Sequence, residues 1–429
     1  MTRRPDLRLV SGGLRASSPI RSTRLGPAFD LLAAYPGHGG FFFERDGEGV
    51  ASGSGPGLDA SVETAAADDP GSFAAPLLDR LRAIEGASGA SPIVVGALPF
   101  SPSGVAHLQI PRRAIRKGED GAAWLVDMTP SEDAGAGFAP GRVAGAFPHD
   151  AFTEVQVHER PEASAYESAV ATAVMRILEG EMRKVVLART LDVDARRELD
   201  PRALLHRLRA VDPHSYAFAA PIGPGASLVG ASPELLVRRE SNEVRSTPLA
   251  GSAPRSGDPE EDRGSADALA ASAKEQEEHA IVVEAIAEVL DPRCERLDWD
   301  PEPRLLETAN VWHLATRFRG VLRDPAPSAL ELVGELHPTP AVCGRPAGAA
   351  RALIGELEPF DRGCYAGPVG WMDAAGDGEW AIALRCAELV GAGATLFAGA
   401  GIVADSEPER ELEETERKFR AFLDSLRWG

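Results

Sequence analysis

No apolar run in the 429-residue chain reaches the roughly 18 residues that a membrane-spanning helix needs, so the sequence excludes helical membrane insertion. Cysteine is scarce. Cys294, Cys343, Cys364 and Cys386 are scattered without a C-x-x-C pair, which argues against a disulfide framework or a thiolate zinc site and fits a reducing cytoplasm. Positive charge is in deficit: 45 Lys and Arg face 65 Asp and Glu, a formal net charge of −20. Nucleic acid and anionic membranes are therefore unfavourable partners. An anionic substrate would need positive charge concentrated in its own site. The opening MTRRPDLRLVSGG is basic but precedes no apolar segment, so it does not read as a signal peptide.

What is present suits a soluble globular protein with a large core: 44% hydrophobic and 26% charged residues. Stretches 51–72 and 129–148 are rich in Gly, Ala, Pro and Ser and read as loops. Strand candidates include GGFFFERDGEGVASGSG with a turn at Asp46-Gly47, SPIVVGALPF, KVVLARTLDV, SLVGASPELLVRRE and EVRSTPLAG, the last two joined at Ser241-Asn242. Further strands are GPVGWMDA, EWAIALRCAEL and ATLFAGAGIV, separated by Gly-rich turns at 376–378 and 391–393. Helices are expected from Glu162 to about Glu179, with Ala169, Val170, Ala173, Val174, Ile177 and Leu178 on one side and Gly180 as the stop, and over 274–290. Tight turns between strands imply antiparallel pairing. The expectation is an α+β fold, large antiparallel sheets packed with flanking helices in a single large domain. Residues 155–429 read as one continuous core and 1–154 as a variable N-terminal part.

Two acidic stretches stand out. In SAKEQEEHAIVVEAIAEVL, placing the residues at about 100° intervals puts Glu275 and Glu278 on the apolar stripe of Ile281, Val282, Ala285, Ile286 and Val289. Glu277, Glu284 and Glu288 gather on another side. Acids at a helix start complement the dipole, yet two carboxylates on a buried face also call for a metal or a strong cation. In SEPERELEETERKF, Phe419, Phe422, Leu423 and Leu426 form the apolar stripe with Leu412. Glu413 and Glu416 have arginines four residues on, an ordinary surface pairing. Glu407, Glu411, Glu414 and Lys418 share one arc, either as a solvated face or around a cation. Two E-x-x-E pairs with oxygen donors alone suit Mg²⁺ better than zinc or iron. His279 and His313 read first as structural.

Isolated basic residues are the other signal. Alternation on KVVLARTLDV puts Lys184 with Val186, Ala188 and Thr190, as an edge gatekeeper or a desolvated base. On EWAIALRCAEL, alternation puts Arg385 among Ala381, Ala383 and Ala387, opposite Leu384, where it could clamp a carboxylate or pair with an acid. Glu234 stands at a strand-turn junction.

Taken in order, KVVLART, GASPELL, PLAGS, KEQEEH, VWHLAT, HPTPAVCG, LEPFDRGCYAGPVGW, GEWAIALRCAEL, FAGAGIV and ERELEETERK resemble the chorismate-utilising enzymes, and among them the isochorismate synthases, over about 160–429. The resemblance implies a Mg²⁺ ion on the substrate's ring carboxylate, with Glu278 and Glu414 as direct ligands and Glu275 and Glu411 acting through water or holding the site. It implies Lys184 as general base for an attacking water and Glu234 as general acid for the departing hydroxyl. Arg385, Tyr365, Lys418 and the backbone around Gly251, Ser252 and Gly399 would hold carboxylates, with His313 beside the ring. Nothing in the residues demands a partner subunit, so a monomer without an obligate glutaminase subunit is expected, and the sequence does not choose between menaquinone and siderophore biosynthesis.

Within the family, anthranilate synthases typically carry glutamine where Lys184 stands. Aminodeoxychorismate synthases typically carry lysine where PLAGS has Ala250. Both differences favour water as the nucleophile. Salicylate synthases share Lys184, Glu234 and the acidic pairs, but Ala341 in HPTPAVCG and Ser252 in PLAGS look more like isochorismate synthase. A non-catalytic chorismate-binding homologue would need neither Lys184 nor Glu234.

Overall fold

The computed structural model describes residues 21–26, 29–53, 74–84, 92–127 and 155–427. The loop expected at 129–148, and all but residues 51–53 of that expected at 51–72, lie outside the described residues. Strand pairing among the described residues is antiparallel throughout, as the tight turns implied. Asp46 and Gly47, with φ of 52° and 83°, join Phe42–Arg45 to Glu48–Ser52 in the two-residue turn that a right-twisted hairpin favours.

Among the described residues the strands form sheets of twelve, eight and three. In the largest, Tyr216–Gly223, Ala226–Ser232, Cys386–Val390, Gly393–Ile402 and Lys184–Ala195 lie side by side. Both its faces are covered. Phe41 and Phe43 belong to the core against the eight-stranded sheet, which also holds Val237, Ile382 and Trp380. Phe42 points the other way, into a second core with Leu204, Leu208, Phe419 and Leu426 from the helices Pro201–Val211 and Pro408–Arg427. Double coverage explains the near-continuous apolar runs of these strands. Each such fully buried aromatic contributes about 1.5–3 kcal/mol of transfer free energy.

Three stretches that read as single strands are in fact divided between sheets. Ala226–Ser232 lies in the twelve-stranded sheet and Leu235–Glu240 in the eight-stranded one, with Pro233 and Glu234 at the crossing. Gly378–Ile382 and Cys386–Val390 divide the same way around Ala383, Leu384 and Arg385. Glu243–Thr247 and Leu249–Pro254 part at Pro248 and enter the eight- and three-stranded sheets. Proline has no N–H for a ladder, and Arg385 takes a left-handed φ of 50°, so each ladder breaks there. The first two crossings run together: Ile382 N–H donates to Glu234 O at 3.1 Å and Ala231 N–H to Arg385 O at 3.2 Å.

The helices fall close to expectation. One runs Ala163–Leu178 and stops at Gly180, whose φ is 84°. Its buried face takes Tyr166, Val170, Ala173 and Ile177, whereas Leu178 is 63% exposed. Another runs Ala273–Leu290, capped by the Ser272 hydroxyl, which accepts from Glu275 N–H.

Candidate functional site

A pocket opens where the paired crossings meet the three-stranded sheet and the Gly393–Ile402 strand. Lys184 begins its strand behind Gly401 and is 0% exposed, which removes the edge-gatekeeper reading. Its Nζ sits 2.9 Å from Glu278 Oε1. A Cβ at Gly401 would lie 2.1 Å from that same oxygen, so a glycine is required for the pair to meet. Glu278 is buried on the inner face of its helix, while Glu277, Glu284 and Glu288 are exposed, as the periodicity predicts.

Glu234 is buried at the first crossing. Burial pushes its pKa up to about 8, although Lys184, a backbone hydrogen bond from Leu249 and Lys418 all pull it down. Its carboxyl is therefore mostly protonated at neutral pH. The second crossing delivers Arg385, whose Nη2 lies 2.7 Å from His313 Nε2. His313 Nδ1 is 3.2 Å from Gly251 O, and a carbonyl can only accept, so Nδ1 carries the proton and Nε2 accepts from the arginine. Burial, Arg385 and Lys418 drive the histidine's pKa down to about 3, which keeps it neutral.

The alternation argument for Arg385 fails at this point. In an unbroken strand Leu384 and Arg385 would face opposite ways, yet both line the pocket because the crossing turns the chain. Tyr365 stacks on Phe397 with centroids 4.9 Å apart, and a Cβ at Gly399 would come within 3.1 Å of the Tyr365 hydroxyl. Ala341 lines the pocket as well.

The acidic pairs close one side. Glu414 Oε1 lies 2.6 Å from Lys418 Nζ, which also donates to Gly399 O at 2.8 Å. Burial pushes the Glu414 carboxyl up, but Lys418 and a Ser252 hydrogen bond outweigh it and hold the pKa at about 2. Glu411 is buried and pairs with Lys274 Nζ at 2.7 Å. Glu275 accepts from Ser252 N–H at 3.0 Å and lies 3.5 Å from the same lysine. Gly251, with φ of 79°, passes so close that a Cβ there would be 3.1 Å from Glu275 Oε2. Burial and a neighbouring carboxylate raise the pKa of both Glu275 and Glu411, the latter to about 7. Glu407 does not join them; it is exposed and pairs with Arg410. Among the described residues no group of three or more His, Cys, Asp or Glu is spaced to hold a metal ion by itself.

Residues 143–427 match the family model described as chorismate binding enzyme. The chain belongs to the chorismate-binding enzyme family. Isochorismate synthase DhbC of Bacillus subtilis strain 168 is 40% identical over 356 residues, which cover 82% of this chain and 84% of that one. Isochorismate synthase EntC of Escherichia coli K12 is 39% identical over 340 residues, 78% of this chain and 81% of the relative. The structure of MenF, the menaquinone-specific isochorismate synthase from Escherichia coli, matches with a TM-score of 0.79 at 27% identity, covering 98% of this chain and 97% of that one. The large antiparallel sheets, flanking helices and single domain are those of this family.

Of the fourteen site candidates drawn from the sequence, eleven line this pocket. Lys184, Glu275 and Glu411 stand behind its wall, bonded to Glu278, to Ser252 N–H and to Lys274 respectively. Sequence reasoning missed Val186, Leu249, Val342, Leu384 and Phe397 in the wall, and Lys274 among the acids. Lys274 was visible as the residue before Glu275 in KEQEEH. His279 is structural: its ring bridges Ala250 O at 3.2 Å and Thr316 Oγ1 at 2.7 Å, tying its helix to the strand Leu249–Pro254 and to the residue that follows the strand Val311–Ala315.

Proposed function

We propose that the chain is an isochorismate synthase, interconverting chorismate and isochorismate by adding water at C2 and releasing the C4 hydroxyl. One observation carries the proposal. A buried carboxyl held protonated near neutral pH lines one pocket with Arg385 and Lys418, and a buried lysine stands directly behind the pocket wall on Glu278. Those are the groups that water addition and hydroxide loss need: a base, an acid, and cations for a dianion.

Lys184 Nζ takes a proton from the attacking water, and Glu278 fixes the direction in which Nζ points. Glu234 gives its proton to the leaving hydroxyl. In the reverse direction the two exchange roles. Arg385, kept in place by neutral His313, has guanidinium N–H groups left for a substrate carboxylate. Tyr365 and the backbone at Gly251, Ser252 and Gly399 complete the contacts, with Ala341 leaving room beside the ring.

The residues fit a bound Mg²⁺. Four carboxylates on two helices share three lysines, and Glu275 and Glu411 are pushed up by their acidic neighbours as well as by burial. Mg²⁺ is usually held by one or two carboxylates together with water and substrate oxygens. Glu278 and Glu414 would hold it directly, and Glu275 and Glu411 through water. When bound, it would neutralise and orient the substrate's ring carboxylate. Water as nucleophile leaves no need for a glutaminase subunit.

Incubation with chorismate and Mg²⁺, followed by product chromatography, tests the reading. Isochorismate with little pyruvate is expected near neutral pH. Salicylate and pyruvate in equal amounts would reassign the chain to salicylate synthesis, and unchanged chorismate would leave only a binding protein.

A further inference from the structure

The Lys184–Ala195 strand lacks part of a neighbour. Along one edge it pairs with Gly393–Ile402 from Val185 to Asp194. On the other edge Gly344–Arg345 covers only Lys184 and Val185, and Val155–Arg160 covers Thr190 to Ala195. Between them Val186 to Arg189 have no strand on that edge among the described residues, and the backbone beside them reaches only as far as Cys343 O, which accepts from Val186 N–H at 2.8 Å. The gap begins two residues beyond Lys184, at a residue that lines the pocket. Buried backbone groups left open in this way must find other partners.

Side chains fill the gap. Arg362 Nη2 donates to Val186 O at 2.8 Å, and Ala188 N–H donates to Glu358 Oε1 at 2.8 Å. The two are joined as a fork, Nε to Oε2 at 2.8 Å and Nη2 to Oε1 at 2.5 Å, with side-chain exposures of only 2% and 3%. Arg362 Nη1 donates to Val342 O at 2.8 Å on another wall of the pocket. The Arg362 carbonyl accepts from Tyr365 N–H at 2.8 Å. One residue thus ties down Val186, Val342 and Tyr365, and stands close to the strand start that carries Lys184.

We infer that Arg362 and Glu358 are positioning residues for the reaction, standing in for the absent strand and holding Lys184 and the pocket walls in register. The inference rests on the isochorismate synthase reading above. Only a planar, always-charged fork makes these bonds together; a lysine offers one point charge and cannot reach both carbonyls and both carboxylate oxygens. A shift of about 1 Å in a reacting group can cost on the order of a hundredfold in rate.

The test measures kcat and KM for chorismate with Mg²⁺, per folded molecule, in Arg362→Lys and Glu358→Gln. Folding is checked by near-ultraviolet circular dichroism and thermal melting, with Arg176→Lys, an exposed ion pair, as control. Both variants should lose about tenfold to a hundredfold in kcat, with a smaller change in KM, because Arg385 and Lys418 are untouched. A kcat within about twofold of wild type in a folded variant overturns the inference, whatever happens to the melting temperature. If Arg362→Lys does not fold, Glu358→Gln decides alone. Hydrogen exchange on the wild type decides independently of both: Ala188 N–H should be protected like a sheet amide, and exchange at open-loop rates overturns the inference. A wild type that does not convert chorismate sinks the proposed function itself; a working wild type with unimpaired variants sinks only the positioning role.

Discussion

Glu414 and Glu234 line the same pocket, and burial acts on both in the same direction, yet their carboxyls end up at opposite extremes. Glu414 has a lysine at 2.6 Å and a serine hydrogen bond, and is held at about 2. Glu234 feels Lys184 and Lys418 without an ion pair to either, and rises to about 8. Glu411 falls between, at about 7: it has Lys274, but shares it with Glu275 and lies beside Glu414. The lesson is that protonation in this pocket follows how cations are shared out rather than depth of burial. One residue type can then serve as a permanent anion at one wall and a proton donor at another.

The largest test of that contrast removes the titrating groups. Glu234→Gln should lower kcat by about 10²–10⁴-fold with a smaller change in KM, and Lys184→Ala should do the same in both directions of the reaction. Near-normal kcat in either variant would end the acid/base assignment. In the wild type, the rate from chorismate should fall about tenfold per pH unit above about pH 8, where Glu234 loses its proton. Stability carries the same sign. The Glu234 pKa is raised above its unfolded value, so its contribution is present below about pH 4.5 and is lost as pH rises through about 8.

The anionic wall comes next. Glu278→Gln or Glu414→Gln should cost about 10²–10³-fold in Mg²⁺-dependent turnover. Isothermal titration should show weakened Mg²⁺ binding in both. Glu275→Gln and Glu411→Gln, one turn further out, should lose only about tenfold, mostly as a higher Mg²⁺ requirement. Equal losses at all four positions would erase the distinction between inner and outer carboxylates.

Much of this was legible in the sequence wherever a residue's place follows from local periodicity. The helix from Ala273 to Leu290 needs only its own pattern to turn Glu278 inward and Glu277 outward. The strand beginning at Lys184 likewise shows which side chains travel together. Arg385 and Leu384 were illegible, because their shared direction comes from a passage between two sheets, and sheet membership depends on strands far away in the chain. The helices Pro201–Val211, Pro259–Ala271 and Ala329–Leu336 were passed over despite local signals: Asp200-Pro201 and Asp258-Pro259 at two starts, and a Ser328–Glu331 capping box at the third. The gap filled by Arg362 and Glu358 could not be seen from alternation at all, since it exists only once the neighbouring strands are placed.

The smallest expected effect is the sharpest control on the geometry. Glu277 is one residue from Glu278, and Glu413 is one residue from Glu414. Composition, net charge and helix propensity change in the same way whether the inner or the neighbouring glutamate becomes glutamine. Only the direction of the side chain differs. Glu277 is exposed, and Glu413 is exposed and reaches Arg417 at 3.4 Å. Surface changes of this kind move stability by no more than about 0.5 kcal/mol, and an exposed i,i+4 pair is worth about 0.3–0.5 kcal/mol. Glu277→Gln and Glu413→Gln should therefore leave kcat, KM and Mg²⁺ affinity within about twofold of wild type. Steady-state kinetics beside the Glu278→Gln and Glu414→Gln enzymes measures this directly. A loss at Glu277 or Glu413 comparable to that at its neighbour would mean that charge anywhere on these helices matters, and that no inner face has been selected.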